Sequence, residues 1–293
     1  MTAVAMKADS GPRMVDGEFA FTAEDFRKIA AMLHGDAGIA LPESKATLVY
    51  SRLAKRLRAL GLASFRDYCA LVADAANIDE RQRMLAALTT NVTRFFREPH
   101  HFDHLRRKVV EPVVAEIRQG RRLRIWSAGC SSGQEPYSIA LTLLSMLPEA
   151  RAYDVKILAT DINPIVLETA RKGLYPAEEV VSVPADLRKS WMEPTGIGTL
   201  RLDEAARGLV SFRPLNLIGA WPMKGPFDAV FCRNVVIYFD EKTQMRLLTR
   251  ISSLLRPGGY LYLGHSERMV GPAEALFRLD GTTTYRKLGG DRA

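Results

Sequence analysis

The stretch that most constrains this chain lies between Arg124 and Asp161, where an apolar run, a glycine-bracketed loop, a helix and a second apolar run follow one another. Ile125-Trp126-Ser127-Ala128 reads as a strand and Gly129-Cys130-Ser131-Ser132-Gly133 as a turn. Residues 136–147 read as a helix, with Pro136 near the first helical position, where its missing N–H costs little. Residues 155–160 read as the next strand, which ends on Asp161. Strand, glycine loop, helix and strand with a terminal acid is a layout that holds a nucleoside at the edge of a parallel sheet.

The loop itself selects among nucleosides. A dinucleotide site leaves its helix N-terminus open to pyrophosphate and spaces its glycines as G-x-G-x-x-G. Here the spacing is G-x-x-x-G, and Glu135 stands in or just before the first helical turn. A carboxylate there suits the helix dipole and repels a phosphate. It tolerates or attracts a ligand bearing an amine and a sulfonium, as S-adenosylmethionine does, with the ribose diol left to Asp161. The alternative is that Glu135 does no more than cap its helix.

With 293 residues the chain has room for one large or two ordinary domains. Residues 1–14 lack an apolar signal core, and no run approaches the about 18 apolar residues of a membrane span. A cytoplasmic location without membrane insertion is therefore expected. The three cysteines, Cys69, Cys130 and Cys232, are far apart and show no C-x-x-C spacing. That pattern suits a reducing compartment and predicts neither a disulfide framework nor a metal site.

The net charge of +8 predicts an acidic partner, and its placement narrows the choice. A helix is predicted over 43–60, ended by Gly61. From Ser44 to Arg66 the chain has six basic residues and no acidic one. Ala46, Val49, Leu53, Leu57 and Leu60 form one apolar stripe on this helix at 100° per residue. Arg52, Lys55 and Arg58 fall opposite it, with Lys45 and Arg56 flanking. The choice is between an ordinary solvated face and a docking face, and the missing acids favour docking, since solvated faces usually mix signs.

Residues 1–18 are expected to be disordered, and helices over 22–34, 43–60, 64–73 and 79–90 to form a helical domain at 19–90. A linking segment and a helix over 100–118 fill 91–122, and 123–293 reads as an α/β domain. Its strand candidates are 123–128, 155–160, 209–213, 227–232, 260–264 and a final hairpin at 276–286. An interval at about 175–208, punctuated by Pro176, Pro184, Pro194, Gly196 and Gly198, breaks the βα rhythm and predicts a compact insertion.

Strand carboxyl ends supply further candidates. Arg233, Asn234 and Tyr238 follow the strand at 227–232, and Asn216-Leu217 follows the one before it, where an amide or backbone group would read adenine. In Asn91–Arg97, Phe95 and Phe96 are expected to anchor the segment. Asn91, Thr93 and Arg97 then either fold over the crevice or belong to a surface loop.

Five segments in order carry a family resemblance: N-x-T-x-F-F-R at 91–97, W-S-A-G-C-S-S-G-Q-E-P-Y-S-I-A at 126–140, A-T-D-I at 159–162, F-D-A-V-F-C-R-N-V-V-I-Y-F-D at 227–240 and P-G-G-Y-L-Y-L-G-H-S-E at 257–267. Together they closely resemble the chemotaxis receptor methyltransferases of the CheR type. The resemblance implies an S-adenosylmethionine-dependent methyltransferase domain, Rossmann-like, with a seven-stranded sheet and an antiparallel edge strand. It also implies an all-helical N-terminal domain and a small inserted β-subdomain. The implied reaction esterifies glutamate side chains on the cytoplasmic helices of chemoreceptors (methyl-accepting chemotaxis proteins), releasing S-adenosylhomocysteine. Cofactor contacts would fall on Asn91, Thr93, Arg97, Gly129, Glu135, Asp161, Asn216, Leu217, Arg233 and Asn234. Arg97 and Tyr238 would orient the substrate carboxylate, Arg52, Lys55, Arg56 and Arg58 would meet the acidic receptor helix, and a monomer is the default. Relatives often carry Glu-Glu-Pro where this chain has Gln134-Glu135-Pro136, and the second acid is kept.

Two rival functions remain to be weighed. A nucleic-acid methyltransferase would usually show an (N/D)-P-P-(Y/F) loop to grip a flipped base, and Asn216-Leu217-Ile218-Gly219 does not supply it. A non-catalytic regulator would have no need of Arg97, Glu135, Asp161 and Tyr238 together.

Overall fold

Thr22 opens the helical half of the chain. Its hydroxyl oxygen accepts from the Asp25 amide while the Asp25 carboxylate accepts from the Thr22 amide, a reciprocal cap that starts α1 (Ala23–Ala37). α2 (Ala46–Leu60), α3 (Phe65–Ala73) and α4 (Ile78–Leu88) follow. The computed structural model describes residues 12–289, and the chain divides between Thr90 and Asn91 into two units.

The first unit is built around the apolar faces of these helices. Val49, Leu53 and Leu57 of α2 are fully buried beside Phe26, Leu33 and Phe65. Leu60 departs from the expected stripe and is 38% exposed, because the helix outruns the core at its last turn. Of the segment expected to be disordered, residues 1–11 lie outside the described residues. Residues 12–18 hold an antiparallel bridge between Arg13 and Thr22, and Met14 and Val15 pack on the core.

The second unit opens with α5 (Pro99–His104) and α6 (Val114–Arg118). The single helix expected over 100–118 is interrupted between them by a π-helical stretch at Leu105–Val110 and a 3-10 turn at Glu111–Val113. Pro112 explains the break, since it has no N–H to donate and its ring crowds the carbonyl one turn back.

From there strands and helices alternate: β1 (Leu123–Ala128), α7 (Gln134–Met146), β2 (Val155–Asp161) and α8 (Pro164–Lys172). The insertion follows as β3 (Leu174–Pro176), α9 (Ala185–Trp191), β4 (Met192–Pro194) and β5 (Thr199–Leu202), and α10 (Glu204–Leu209) leads back to the main sheet. That sheet is completed by β6 (Val210–Pro214), β7 (Phe227–Cys232), α11 (Glu241–Leu254), β8 (Leu255–Leu263), β9 (Phe277–Gly281) and β10 (Thr284–Lys287). The seven strands lie in the order β6-β2-β1-β7-β8-β10-β9, and the small three-stranded sheet in the order β3-β5-β4.

β6, β2, β1, β7 and β8 run parallel, and β10 is antiparallel to both β8 and β9. Every residue of β7 is buried, as a central parallel strand covered on both faces requires. Arg256-Pro257-Gly258-Gly259 lies inside β8, where the register with β7 shifts between Phe227 and Ala229.

Candidate functional site

Strand order reverses between β1 and β7, since β1 connects onward to β2 on one side while β7 and β8 build the other. Ligands of open α/β sheets sit at the carboxyl ends of the strands beside such a reversal. Gly129, the first residue after β1, shows how tightly the two loops meet there. A Cβ on it would fall 2.4 Å from Val235 Cγ2, and its φ of +80° favours glycine independently. Among the described residues, four of the five non-glycines with positive φ, Phe96, Glu98, Ser131 and Asn234, belong to the segments at this crevice. Backbone strain of this kind concentrates at functional sites.

Arg233 is the electrostatic centre of the crevice. Its side chain is 2% exposed and pairs with Glu135 at 3.1 Å and with Glu98 at 3.4 Å, and it also donates to the Arg97 carbonyl. Glu135, in the first turn of α7, further accepts from the Ser127 hydroxyl at 2.7 Å. Burial pushes the Glu135 carboxyl above its ordinary value, with Arg233 and Ser127 opposing that shift. Glu98, His100 and His101 bring one possible ligand atom each within 4.8 Å. The Arg233 guanidinium already meets the Glu98 carboxylate, so the cluster is an ion-pair network and a poor host for a cation.

Asp161, at the end of β2, accepts from the Ser131 amide at 2.8 Å and from the Asn163 amide at 2.9 Å. Burial raises its carboxyl pKa, and those amides pull the other way. A carboxylate offers about four acceptor positions, so one remains beyond these amides and that of Ile162 for a ribose hydroxyl. The carbonyl of Asp161 takes the Leu215 amide at 2.9 Å, which places Asn216 and Leu217 at the same edge.

Residues 91–98 run along this edge. Phe95 is fully buried and Phe96 packs partly buried against the same core. The Ser131 hydroxyl donates to the Asn91 carbonyl at 2.8 Å, and the Phe96 amide donates to Ser138 at 2.9 Å. Thr93 and Arg97 are half-buried there. Arg97 spends one donor on the Val92 carbonyl at 3.3 Å, and a guanidinium has five. Asn234 and the half-buried Tyr238 come from the loop after β7.

Sequence reasoning missed the group that shapes that loop. Glu267, buried after β8, accepts from the amides of Gly264 at 2.6 Å, Asn234 and Val235 at 2.8 Å and Ile237 at 3.3 Å. Glu98, Ser127 and Ser131 were missed as well. An acid three residues past a glycine at a strand's carboxyl end was the available signal for Glu267.

The basic face of α2 belongs to the first unit and needs a correction. Its missing acids come from elsewhere in the chain. Arg56 makes a two-pronged pair with Glu80 at 2.9 and 2.5 Å, with the Tyr68 hydroxyl on the same carboxylate. Arg58 meets Glu18 at 2.8 Å. Arg52 donates to the carbonyls of Ala87, Leu88 and Thr89 at 3.3, 3.0 and 2.9 Å, closing the last turn of α4. Arg52 and Arg56 therefore hold the unit together, whereas Lys55 is exposed.

A mixed seven-stranded sheet of this order, with an acid-lined crevice where it reverses, defines an S-adenosylmethionine-dependent methyltransferase. Residues 91–286 match the family model described as CheR methyltransferase, SAM binding domain, and residues 24–89 match CheR methyltransferase, all-alpha domain. The chain belongs to the CheR methyltransferase family. It is 53% identical over 258 residues to a probable chemotaxis protein methyltransferase of Rhizobium etli, covering 87% of this chain and 96% of that one. It is 47% identical over 274 residues to chemotaxis protein methyltransferase 2 of Pseudomonas aeruginosa, covering 92% and 94%. With the chemotaxis protein methyltransferase of Escherichia coli it shares 43% over 268 residues, covering 89% of each. No helix among the described residues is long and apolar enough to cross a membrane.

The raised Glu135 pKa gives a signed prediction. As pH falls through that raised value Glu135 takes up a proton, and affinity for a ligand bearing a positive charge drops. A carboxyl raised on folding contributes most to stability below its unfolded value of 4.5 and loses that contribution as pH rises through the folded one. Titration of Glu135 thus weakens binding at acid pH without unfolding the chain. Calorimetric titration with S-adenosylmethionine at successively lower pH is expected to show the loss, and Glu135→Gln is expected to flatten it.

Proposed function

We propose that this chain transfers methyl groups from S-adenosylmethionine to glutamate side chains on the cytoplasmic helices of chemoreceptors, forming methyl esters for sensory adaptation and leaving S-adenosylhomocysteine. The observation that best supports this reading is the Arg233 junction. It brings the Arg97 segment and the acid of the glycine loop onto one guanidinium at the carboxyl edge of the sheet.

The donor set fits the cofactor. Gly129, Glu135, Asp161, Asn216, Leu217, Arg233 and Asn234, with Asn91, Thr93 and Arg97 from the overlying segment, would hold it. When bound, it supplies an electrophilic methyl group on a positively charged sulfur. The buried carboxylate of Asp161 and the largely buried one of Glu135 suit a ribose diol and an ammonium and repel phosphate.

A glutamate carboxylate is ionised at neutral pH, its reference pKa being about 4.3, so no general base and no metal is needed. The work left to the protein is alignment and exclusion of water, and orientation alone is worth roughly 7–11 kcal/mol. Arg97 and Tyr238 orient the substrate carboxylate. Too firm a grip by Arg97 would lower its nucleophilicity, so the two groups position it and do not activate it. Arg97→Ala and Tyr238→Phe are each expected to lower kcat/KM for receptor more than about tenfold with S-adenosylhomocysteine affinity little changed for Tyr238→Phe. Smaller losses in both would remove this role.

The partner is an acidic receptor helix, met in a cytoplasmic monomer by the exposed Lys55 of α2 and by Arg58, whose exposed pair with Glu18 it would compete with. Exposed charges of this kind are screened beyond about 8 Å at physiological ionic strength. The methylation rate at sub-saturating receptor is therefore expected to fall as salt rises, and Lys55→Glu is expected to deepen the loss. A rate flat in salt speaks against the docking face.

The reaction class is tested by incubating labelled S-adenosylmethionine with a receptor cytoplasmic fragment and, in parallel, bulk RNA. Label on the receptor that mild alkali releases as methanol is expected and identifies a carboxyl methyl ester. Alkali-stable label on RNA would overturn the reading.

A further inference from the structure

The loop after β6 carries Asn216 and Leu217, and a side chain from a different element holds it. Arg250, on α11, donates from Nη1 to the Leu217 carbonyl at 3.3 Å and from Nη2 to the Gly219 carbonyl at 2.8 Å. The same guanidinium lies 3.9 Å from the centroid of the Trp221 ring. That ring meets Trp126 edge-on, with centroids 5.0 Å apart and planes at 78°. Trp126 is fully buried in β1 and donates its indole N–H to the Thr160 hydroxyl in β2 at 2.9 Å. The Trp221 Nε1 is buried with no hydrogen-bond partner among the described residues, so stacking fixes this ring.

One cation thus links three positions of the loop to two adjacent strands of the sheet. The loop's own bonds shape a turn without tying its far end down. Asn216 Oδ1 accepts from the Ile218 amide at 3.1 Å, and the Gly219 amide donates to the Asn216 carbonyl at 3.1 Å. The near end is fixed by the Leu215 amide on the Asp161 carbonyl at 2.9 Å. Arg250, half-buried, supplies the corresponding tie at the far end through its two carbonyl bonds and its stack on the indole.

We propose that Arg250 is a positioning residue for the cofactor loop, setting affinity for S-adenosyl ligands through Asn216 and Leu217 without touching the reacting groups. The inference rests on the reading that this loop contacts the cofactor. A planar guanidinium with two donors at a fixed angle and a flat face suits the task, and a lysine ammonium reproduces neither the fork nor the stack.

The test is calorimetric titration of S-adenosylhomocysteine into the full chain and its variants Arg250→Met, Arg250→Lys, Asn216→Ala and Arg246→Met, alongside steady-state kinetics. Arg250→Met is expected to raise Kd about tenfold, the effect of losing one to two net hydrogen bonds. Arg250→Lys is expected to raise it about threefold, because charge is kept and geometry is not. In both, kcat at saturating cofactor is expected to stay within about twofold, so the loss appears in KM. Arg246→Met, one turn earlier on α11 and exposed, removes a neighbouring like charge without removing a bond to the loop, and is expected to leave Kd within about twofold of the parent.

A folded Arg250→Met that binds within about twofold of the parent, while Asn216→Ala binds weakly, would overturn the positioning role alone. A fall in kcat at saturation as large as the fall in kcat/KM would also overturn it. Unaltered affinity in Asn216→Ala would remove the loop reading, and the inference with it. Should Arg250→Met not fold, Arg250→Lys decides by the same twofold criterion.

Discussion

Arg233→Met is expected to cost about 3–5 kcal/mol of stability, the loss that follows when one partner of a buried ion-pair network is removed. The cation it deletes is shared by two carboxylates, Glu135 and Glu98, whose side chains are 12% and 11% exposed. It also removes a donor from the Arg97 carbonyl and a cation 5.6 Å from the centre of the Phe102 ring. Methionine fills a similar volume, so the effect is electrostatic and not a cavity. Two buried negative charges would be left facing each other across the crevice.

The signature of this mechanism is partial rescue. Adding Glu135→Gln to Arg233→Met removes one stranded charge and is expected to recover about 1–2 kcal/mol, whereas independent sites would add their losses. Urea unfolding of the four chains in the cycle measures the coupling. A loss below about 1 kcal/mol in Arg233→Met, with no coupling to Glu135, would show that the network is solvated and carries little. Methyl transfer is expected to vanish with the single variant, because the Arg97 carbonyl loses its donor and the ion-pair network that orders the crevice is gone.

What the sequence made legible was whatever depends on neighbours along the chain. The period-2 and period-3.6 patterns located every strand of the main sheet and most helices, since burial of Val49, Leu53 and Leu57 or of all of β7 leaves a local trace. Glu135 and Asp161 could be singled out because a glycine loop and a strand end announce them. Pairings across long separations left no such trace. Arg56 finds Glu80 across 24 residues and Arg58 finds Glu18 across 40, and a helix that reads as acid-free is compensated in the folded unit. Arg233 shows the same limit. Its place after β7 was readable, and its bond to the Arg97 carbonyl 136 residues away was not.

Glu267→Gln is expected to lower methyl transfer at least about 100-fold while leaving most of the fold intact, because it dismantles one loop. The carboxylate of Glu267 takes four backbone amides, those of Gly264, Asn234, Val235 and Ile237. An amide side chain has one acceptor oxygen and turns two hydrogens toward groups that are themselves donors. Each amide left buried without an acceptor costs about 1–3 kcal/mol. The strain falls on Asn234, already held at φ 58°, and on the turn that ends in Tyr238. Gly264 leaves no slack, since even a Cβ there would sit 2.5 Å from the Asn234 side chain. The loop therefore has one well-packed arrangement, and the carboxylate selects it. Hydrogen exchange reads this directly. The amides of Asn234, Val235 and Ile237 are expected to exchange much faster in Glu267→Gln, with those of β1 and β2 unchanged. Glu267→Asp keeps the charge on a shorter arm and is expected to protect some of the three and recover part of the activity. Unchanged exchange at all three amides, together with lost activity, would mean that Glu267 acts on the substrate and not on the loop.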